Sequence, residues 1–262
     1  MPTMTQLFNR SVQLKRSCRH SQTTDPLHQL LADLIKDRLV YVLRDFTHVL
    51  IIGDLDLEFT GASVFRIPQD IYATSDFLPF GEATFDLVIS YMDLHHANDI
   101  PGILKQINYT LKPDGLFLGC FLGGTSLWQL RSAAQKAELL VRQGCSPRVA
   151  PMISLHDAAS LLQRAEFAIP VLDHEHLALT APTAFDLLKR IQSLGLSNSL
   201  IERYKGLTGK EFIKKLCQFL DEDYQNTIEL DVLFLSGWAP APNQQKALPR
   251  GSGQVFLGNI LT

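Results

Sequence analysis

This sequence holds little with which to cross a membrane, to bind a metal or to attract nucleic acid. No apolar run reaches the roughly 20 residues that a helix needs to span a bilayer. The four cysteines, Cys18, Cys120, Cys145 and Cys217, are far apart and form no CxxC pair. That spacing excludes a disulfide framework and a zinc-finger site, and it fits reduced thiols in a cytosolic-type compartment. Neither sign of charge dominates: 24 Lys and Arg face 27 Asp and Glu, for a formal net charge of −3. The sequence therefore carries no basic footprint for nucleic acid. It has no internal repeat and no low-complexity tract. Acids are missing before Asp25, where Arg10, Lys15, Arg16 and Arg19 make a basic lead-in like that of a mitochondrial transit peptide.

What is present is a chain of 262 residues with 46% hydrophobic and 19% charged residues, enough for one α/β domain with a sizeable core. The organising stretch runs from Phe85 to Gly124. Phe85 to Ser90 is an apolar run of strand length. Ile103, Leu104, Ile107 and Leu111 then repeat with a helical period, behind Asp99 as a cap and Pro101 in the first turn. Pro113 and Gly115 stop that helix, and Leu116 to Leu122 is a second buried strand. Strand, crossover helix and strand make a βαβ unit, whose buried parallel strands read as unbroken apolar runs.

The remaining elements hang on this unit. Asp25 and Pro26 start a helix with Leu27, Leu30, Leu31, Leu34, Ile35, Leu39 and Val42 on one face. His48 to Gly53 is the first strand, and Ala62 to Ile67 the second. A helix follows from about Ser126 to Gln143, and another from Leu155 to Ala165 begins at a Ser154/Asp157 capping box. Phe167 to Thr180 holds the sixth strand. Residues 182–223 form a helical insertion, with capping-box patterns at Thr183/Asp186 and Thr208/Glu211. Thr227 to Ser236 is the last strand, read as antiparallel, and 243–262 is a tail.

The runs FDLVIS, LHHAND and LKPDGLFLG in this unit resemble class I S-adenosylmethionine-dependent methyltransferases. LPF at Leu78–Phe80, SPRV at Ser146–Val149 and GWAP at Gly237–Pro240 are similar to the branch that contains the mitochondrial complex I assembly factor 5 and its alphaproteobacterial relatives. The malonyl-carrier-protein methyltransferases are more distant cousins. The resemblance implies a Rossmann-like, seven-stranded, mostly parallel sheet with helices on both faces and a helical insertion before the last strand. It also implies that Leu7–Arg10 and the basic residues after it match a motif near the mature start. That match leaves no room for a cleaved presequence and favours a bacterial cytoplasmic protein, with the mitochondrial matrix as the alternative.

The same resemblance implies S-adenosylmethionine as cofactor, with Gly53, Asp54, Asp76, Phe77 and Ser90 as its contacts. His95 and Asn98 would then lie at the methyl acceptor. Yet the motif similar to DLGCGTG here reads Ile51-Ile52-Gly53-Asp54-Leu55-Asp56-Leu57. Its later glycines, needed for close backbone approach to the ligand, fall on Leu55 and Leu57. The end of the second strand offers Phe65-Arg66-Ile67, with no carboxylate for the ribose hydroxyls until Asp70. In the third element, the leading Asp of the relatives is Thr74.

Each candidate has a plainer reading. His95 could serve as a general base, and LHHAND could equally be a structural turn capped by Asp99. His95, His96 and Asp99 crowd one turn and do not face one metal; His174 and His176 share a strand face without zincin spacing. Arg148 is a candidate contact in a substrate loop. Cys120 and Trp238 read as packed core. Three functions follow: a working methyltransferase, a complex I assembly factor of the protein-arginine hydroxylase type acting on a respiratory subunit, or a non-catalytic scaffold with the methyltransferase fold.

Overall fold

The structure is a computed structural model that describes residues 6–17, 25–67 and 77–244. Among these, six strands form one sheet: β1 (His48–Ile52), β2 (Ser63–Ile67), β3 (Phe85–Tyr91), β4 (Leu111–Gly123), β5 (Ala168–Thr180) and β6 (Thr227–Trp238). Their order is β2-β1-β3-β4-β6-β5. The pairs β1–β2, β1–β3 and β3–β4 are parallel, and β6 runs antiparallel to both β4 and β5. The expected antiparallel last strand is thus found. The expected count of seven strands is six among the described residues.

Helices cover both faces. Those of the described residues are α1 (Arg10–Ser17), α2 (Pro26–Val40), α3 (Ile100–Thr110), α4 (Trp128–Arg142), α5 (Leu155–Arg164), α6 (Ala184–Ser193) and α7 (Lys210–Tyr224). The strands sort their side chains by the two-residue period. Val49 and Ile51 of β1 join Leu27, Leu31 and Ile35 of α2 on one face. Leu50 and Ile52 join Ile103, Leu104 and Ile107 of α3 and Leu161 and Leu162 of α5 on the other. A third cluster packs Phe212, Leu216 and Leu220 of α7 on Ala133, Ala134 and Ala137 of α4, seating the insertion.

The caps decide where most helices begin. The backbone N–H of Leu27 donates to Asp25 at 2.9 Å, that of Gly102 to Asp99 at 2.9 Å, that of Asp157 to Ser154 at 3.1 Å and that of Asp186 to Thr183 at 3.1 Å. The capping box read at Thr208/Glu211 does not form. Gly209 takes the cap position of α7 and offers no side-chain bond.

One cap does a second job. The guanidinium of Arg190 in α6 donates from Nε and Nη2 to the two oxygens of Asp25, each at 2.9 Å. Such forked pairs fix geometry as well as charge, and this one ties the insertion to α2. The Arg190 hydrogen bonds hold the Asp25 carboxyl below its usual value, against the opposing effect of burial. We expect Asp25→Ala to cost about 2 kcal/mol in urea denaturation, combining a lost cap and a lost ion pair. A carboxyl whose folded pKa is depressed stabilises above its unfolded pKa, and that contribution is lost as pH falls through the folded value. The gap between wild type and Asp25→Ala should therefore close on acidification below about pH 4.

Candidate functional site

Ligands of open α/β sheets bind beyond the carboxyl ends of the parallel strands. Here β1 ends in Gly53, whose φ of +108° is a backbone conformation that favours glycine. A Cβ at this position would sit 2.3 Å from the carbonyl oxygen of Tyr91 at the end of β3. The two strand ends are that close. Beyond Gly53 the chain alternates: Asp54 and Asp56 are exposed, while Leu55 and Leu57 are each only 4% exposed. Both leucines share a buried cluster with Tyr91, Met92, Leu27 and Leu31.

Polar groups close the same corner. Arg66, at the end of β2, donates from Nη2 to the Leu57 carbonyl at 2.7 Å and pairs with Asp56 at 3.6 Å. The Tyr91 hydroxyl meets Nδ1 of His28 at 2.8 Å. Burial pushes the Tyr91 phenol up and the His28 imidazole down, so both stay uncharged at neutral pH. Ser90 is fully buried, and its Oγ has no hydrogen-bond partner among the described residues. Phe77 is 72% exposed, beside Leu78, whose N–H donates to Gln106 at 2.8 Å. Asp76, with Asp70 and Thr74, lies outside the described residues.

His95 and Asn98 belong to a second place. Met92 takes φ +50°, rare for a non-glycine residue, and turns the chain out of β3 into a short 3-10 turn, Leu94–His96. Beside that turn is a small, partly open cavity of about 30 Å³. Phe8, His95, His96, Arg148, Asn198 and Ser199 are among its lining residues; Gly53, Asp54, Phe77 and Ser90 are not. His95 is 6% exposed, and neither of its ring nitrogens has a hydrogen-bond partner among the described residues. The same holds for His96 Nδ1 and Ser199 Oγ. Burial and the neighbouring His96 hold His95 well below its usual value. Burial lowers His96 to about 4, against a hydrogen bond with the Gly195 backbone.

Asn98 does not line this cavity, and it and Arg148 are engaged structurally. Asn98 Oδ1 accepts from the backbone N–H of Leu7 at 2.9 Å and of Phe8 at 2.8 Å, and its Nδ2 donates to the Phe8 carbonyl at 3.2 Å. Arg148 is turned toward Glu138, which is 2% exposed and also accepts from the N–H and Oγ of Ser146. Burial pushes the Glu138 carboxyl up, and its donors outweigh that effect and leave it lowered. Residue-by-residue reading gave no role to Phe8, Glu138 or the His28–Tyr91 pair. Phe8 had a signal, the match of Leu7–Arg10 to the start motif. The others are set by packing across the fold and have none.

The comparisons with known proteins agree with this architecture. Residues 58–119 match the methyltransferase domain family, a match that begins just past the Gly53–Leu57 turn. The Mus musculus protein named Arginine-hydroxylase NDUFAF5, mitochondrial, is 31% identical over an alignment that covers 99% of this chain and 85% of that protein. The chain belongs to the NDUFAF5 family. The Homo sapiens member is 35% identical over 72% of this chain and 56% of its own length. A Rickettsia prowazekii protein described only as a methyltransferase is 32% identical over 64% of this chain and 71% of its own length. Among solved structures, a Bacillus halodurans protein of the methyltransferase class superposes with a TM-score of 0.50 at 13% identity, over 79% of this chain and 99% of its own, which shows the shared fold. This is a methyltransferase-like protein.

The two histidines give a prediction. Their folded pKa values lie below the unfolded one near 6.5, so the unfolded chain binds protons first as pH falls. Stability should decline from about pH 6.5 toward pH 4. The urea midpoint of wild type should fall over that window, and that of His96→Leu should fall less.

Proposed function

We propose that this chain is a methyltransferase-fold member of its family that acts on or with a protein partner and does not hold S-adenosylmethionine in the usual place. The observation that carries this is the burial of Leu55 and Leu57. Where related folds open a glycine-lined space for the methionine end of the cofactor, this chain puts two core side chains. Arg66 engages the Leu57 carbonyl at the strand end where the ribose hydroxyls would find a carboxylate. The residues of this corner, Gly53 apart, do not fit the cofactor, and no methyl-transfer step is assigned to them. Gly53, Asp54, Phe77 and Ser90 are left as parts of an inherited scaffold, and Asp76 lies outside the described residues.

The names of the relatives favour the assembly-factor reading over methyl transfer, since the mammalian members are named as arginine hydroxylases. A respiratory complex I subunit is the partner that this kinship suggests, and His95 and Asn98 are the residues we place nearest to it. The compartment that goes with it is the bacterial cytoplasm, or the mitochondrial matrix as in the animal relatives. No helix among the described residues is long and apolar enough to cross a membrane.

The test is calorimetric titration with S-adenosylmethionine and S-adenosylhomocysteine, paired with thermal melting. We expect no saturable heat up to about 1 mM ligand and no rise in melting temperature. Micromolar binding, roughly −8 kcal/mol, would contradict the proposal and return the chain to the working methyltransferases.

A further inference from the structure

A second polar arrangement stands at the carboxyl end of β4. There Gly123 of β4 pairs with Asp231 of β6, and Asp231 pairs with His176 of the edge strand β5. Asp231 accepts from the N–H of Thr125 at 2.6 Å, from the Thr125 hydroxyl at 2.8 Å and from Nδ1 of His176 at 2.8 Å. Gly124 permits this close turn: its φ is +57°, and a Cβ there would sit 2.3 Å from Asp231 Oδ2. An ionised carboxylate can only accept, so Nδ1 of His176 carries the proton. The neutral ring then presents Nε2 as a bare acceptor.

Glu229 lies two residues before Asp231 and shares its strand face. Its Oε2 accepts from the indole N–H of Trp128 at 2.7 Å, and that indole packs edge-on against Tyr224 at 5.3 Å. Its Oε1 stands 3.9 Å from His176 Nε2, too far for a hydrogen bond between them. The side chains of His176 and Glu229 are 54% and 40% exposed, so an incoming group can reach both. Two acceptors, held from behind by Asp231 and by Trp128, thus flank one gap. A single nitrogen can lie about 2.8 Å from each, the length of a charge-assisted hydrogen bond. The gap is negative and offers no donor when His176 is neutral, so what complements it is a cation that donates. A metal ion is the poorer fit, because no three His, Cys, Asp or Glu side chains come together to hold one among the described residues.

We propose that Glu229 and His176 form a binding site for a guanidinium side chain of a partner protein, whose several planar donors serve both acceptors at once. The site lies where open α/β sheets take their ligands, outside the carboxyl ends of the parallel strands. Asp231 and Glu229 of β6 are the charged groups that face His176. The Asp231 hydrogen bond, with the charges of both carboxylates, holds its imidazole above the usual value against burial. A proton and the guanidinium therefore compete for Nε2. The inference rests on the protein-partner reading given above and is independent of the cofactor question.

The test follows the indole N–H signals of the full-length protein by nitrogen-15 NMR. The chain has two tryptophans. Trp128 touches Glu229, and Trp238, beneath the Arg44 guanidinium at the far end of β6, is the internal reference for an intact fold. The probes are Nα-acetyl-arginine methylamide, its neutral citrulline counterpart and free arginine. Each is titrated at about pH 8.5 and again at about pH 6, where His176 is protonated. We expect the capped arginine to move the Trp128 signal saturably, with a Kd of about 1–10 mM, and to leave Trp238 in place. It should bind more weakly at the lower pH. Glu229→Gln keeps an acceptor for the indole and loses the charge, and His176→Phe loses the second acceptor. Each should weaken binding about fivefold, the worth of one hydrogen bond. No shift of Trp128, an equal shift with citrulline, or unchanged affinity in both variants would overturn the proposal. Tighter binding of free than of capped arginine would overturn its protein source and mark a small-molecule site. Failure of every probe leaves the protein-partner reading and the S-adenosylmethionine titration standing on their own.

Discussion

The close approach of two strand ends, Gly53 of β1 and Tyr91 of β3, governs the rest of the ligand edge. A Cβ at Gly53 would collide with the Tyr91 carbonyl, so the chain there must be glycine and must turn sharply. The turn delivers Leu55 and Leu57 into the cluster that holds α2 against the sheet. Tyr91 completes the corner by burying its ring and bonding His28 of α2. A corner packed this way contributes to the stability of the sheet, as a ligand pocket would not. Each buried leucine contributes on the order of 2 kcal/mol by removal from water.

The fold and a ligand site at the strand ends rest on different residues. The fold is carried by alternating apolar positions in the strands, by the caps and by the βαβ unit. The site is carried by a few turn glycines and carboxylates at the strand ends. Leucines at positions 55 and 57 add burial at the strand end. The pocket beside His95 mixes apolar side chains with buried atoms of His95, His96 and Ser199 that find no partner among the described residues, and such atoms cost stability.

Much of this was legible in the sequence. The apolar runs at His48–Gly53, Phe85–Ser90 and Leu116–Leu122 placed the parallel strands, since buried strands have no polar face to obscure them. Asp25, Asp99, Ser154 and Thr183 announced four helix starts. Thr208 announced a fifth one residue early, where Gly209 takes the cap position without a side-chain bond. The erosion of the glycine motif was also visible, and the burial of Leu55 and Leu57 gives it a physical form. What lay beyond reach were contacts across long separations: Asn98 with Leu7 and Phe8, Glu138 with Arg148, His28 with Tyr91. No periodicity records which loop a buried amide will face. Asn98 and Arg148, singled out for chemistry, spend their polar atoms on the backbone at Phe8 and on Glu138.

The most direct measurement is the stability of Leu55→Ala and Leu57→Ala by urea denaturation. If the two leucines are core residues, each substitution should cost about 2–4 kcal/mol, with an unchanged dependence on denaturant. A loss below about 0.5 kcal/mol for both, the cost of an ordinary surface change, would mean that the leucines swing out of the corner. The corner would then be open to a cofactor, and the central claim would be wrong.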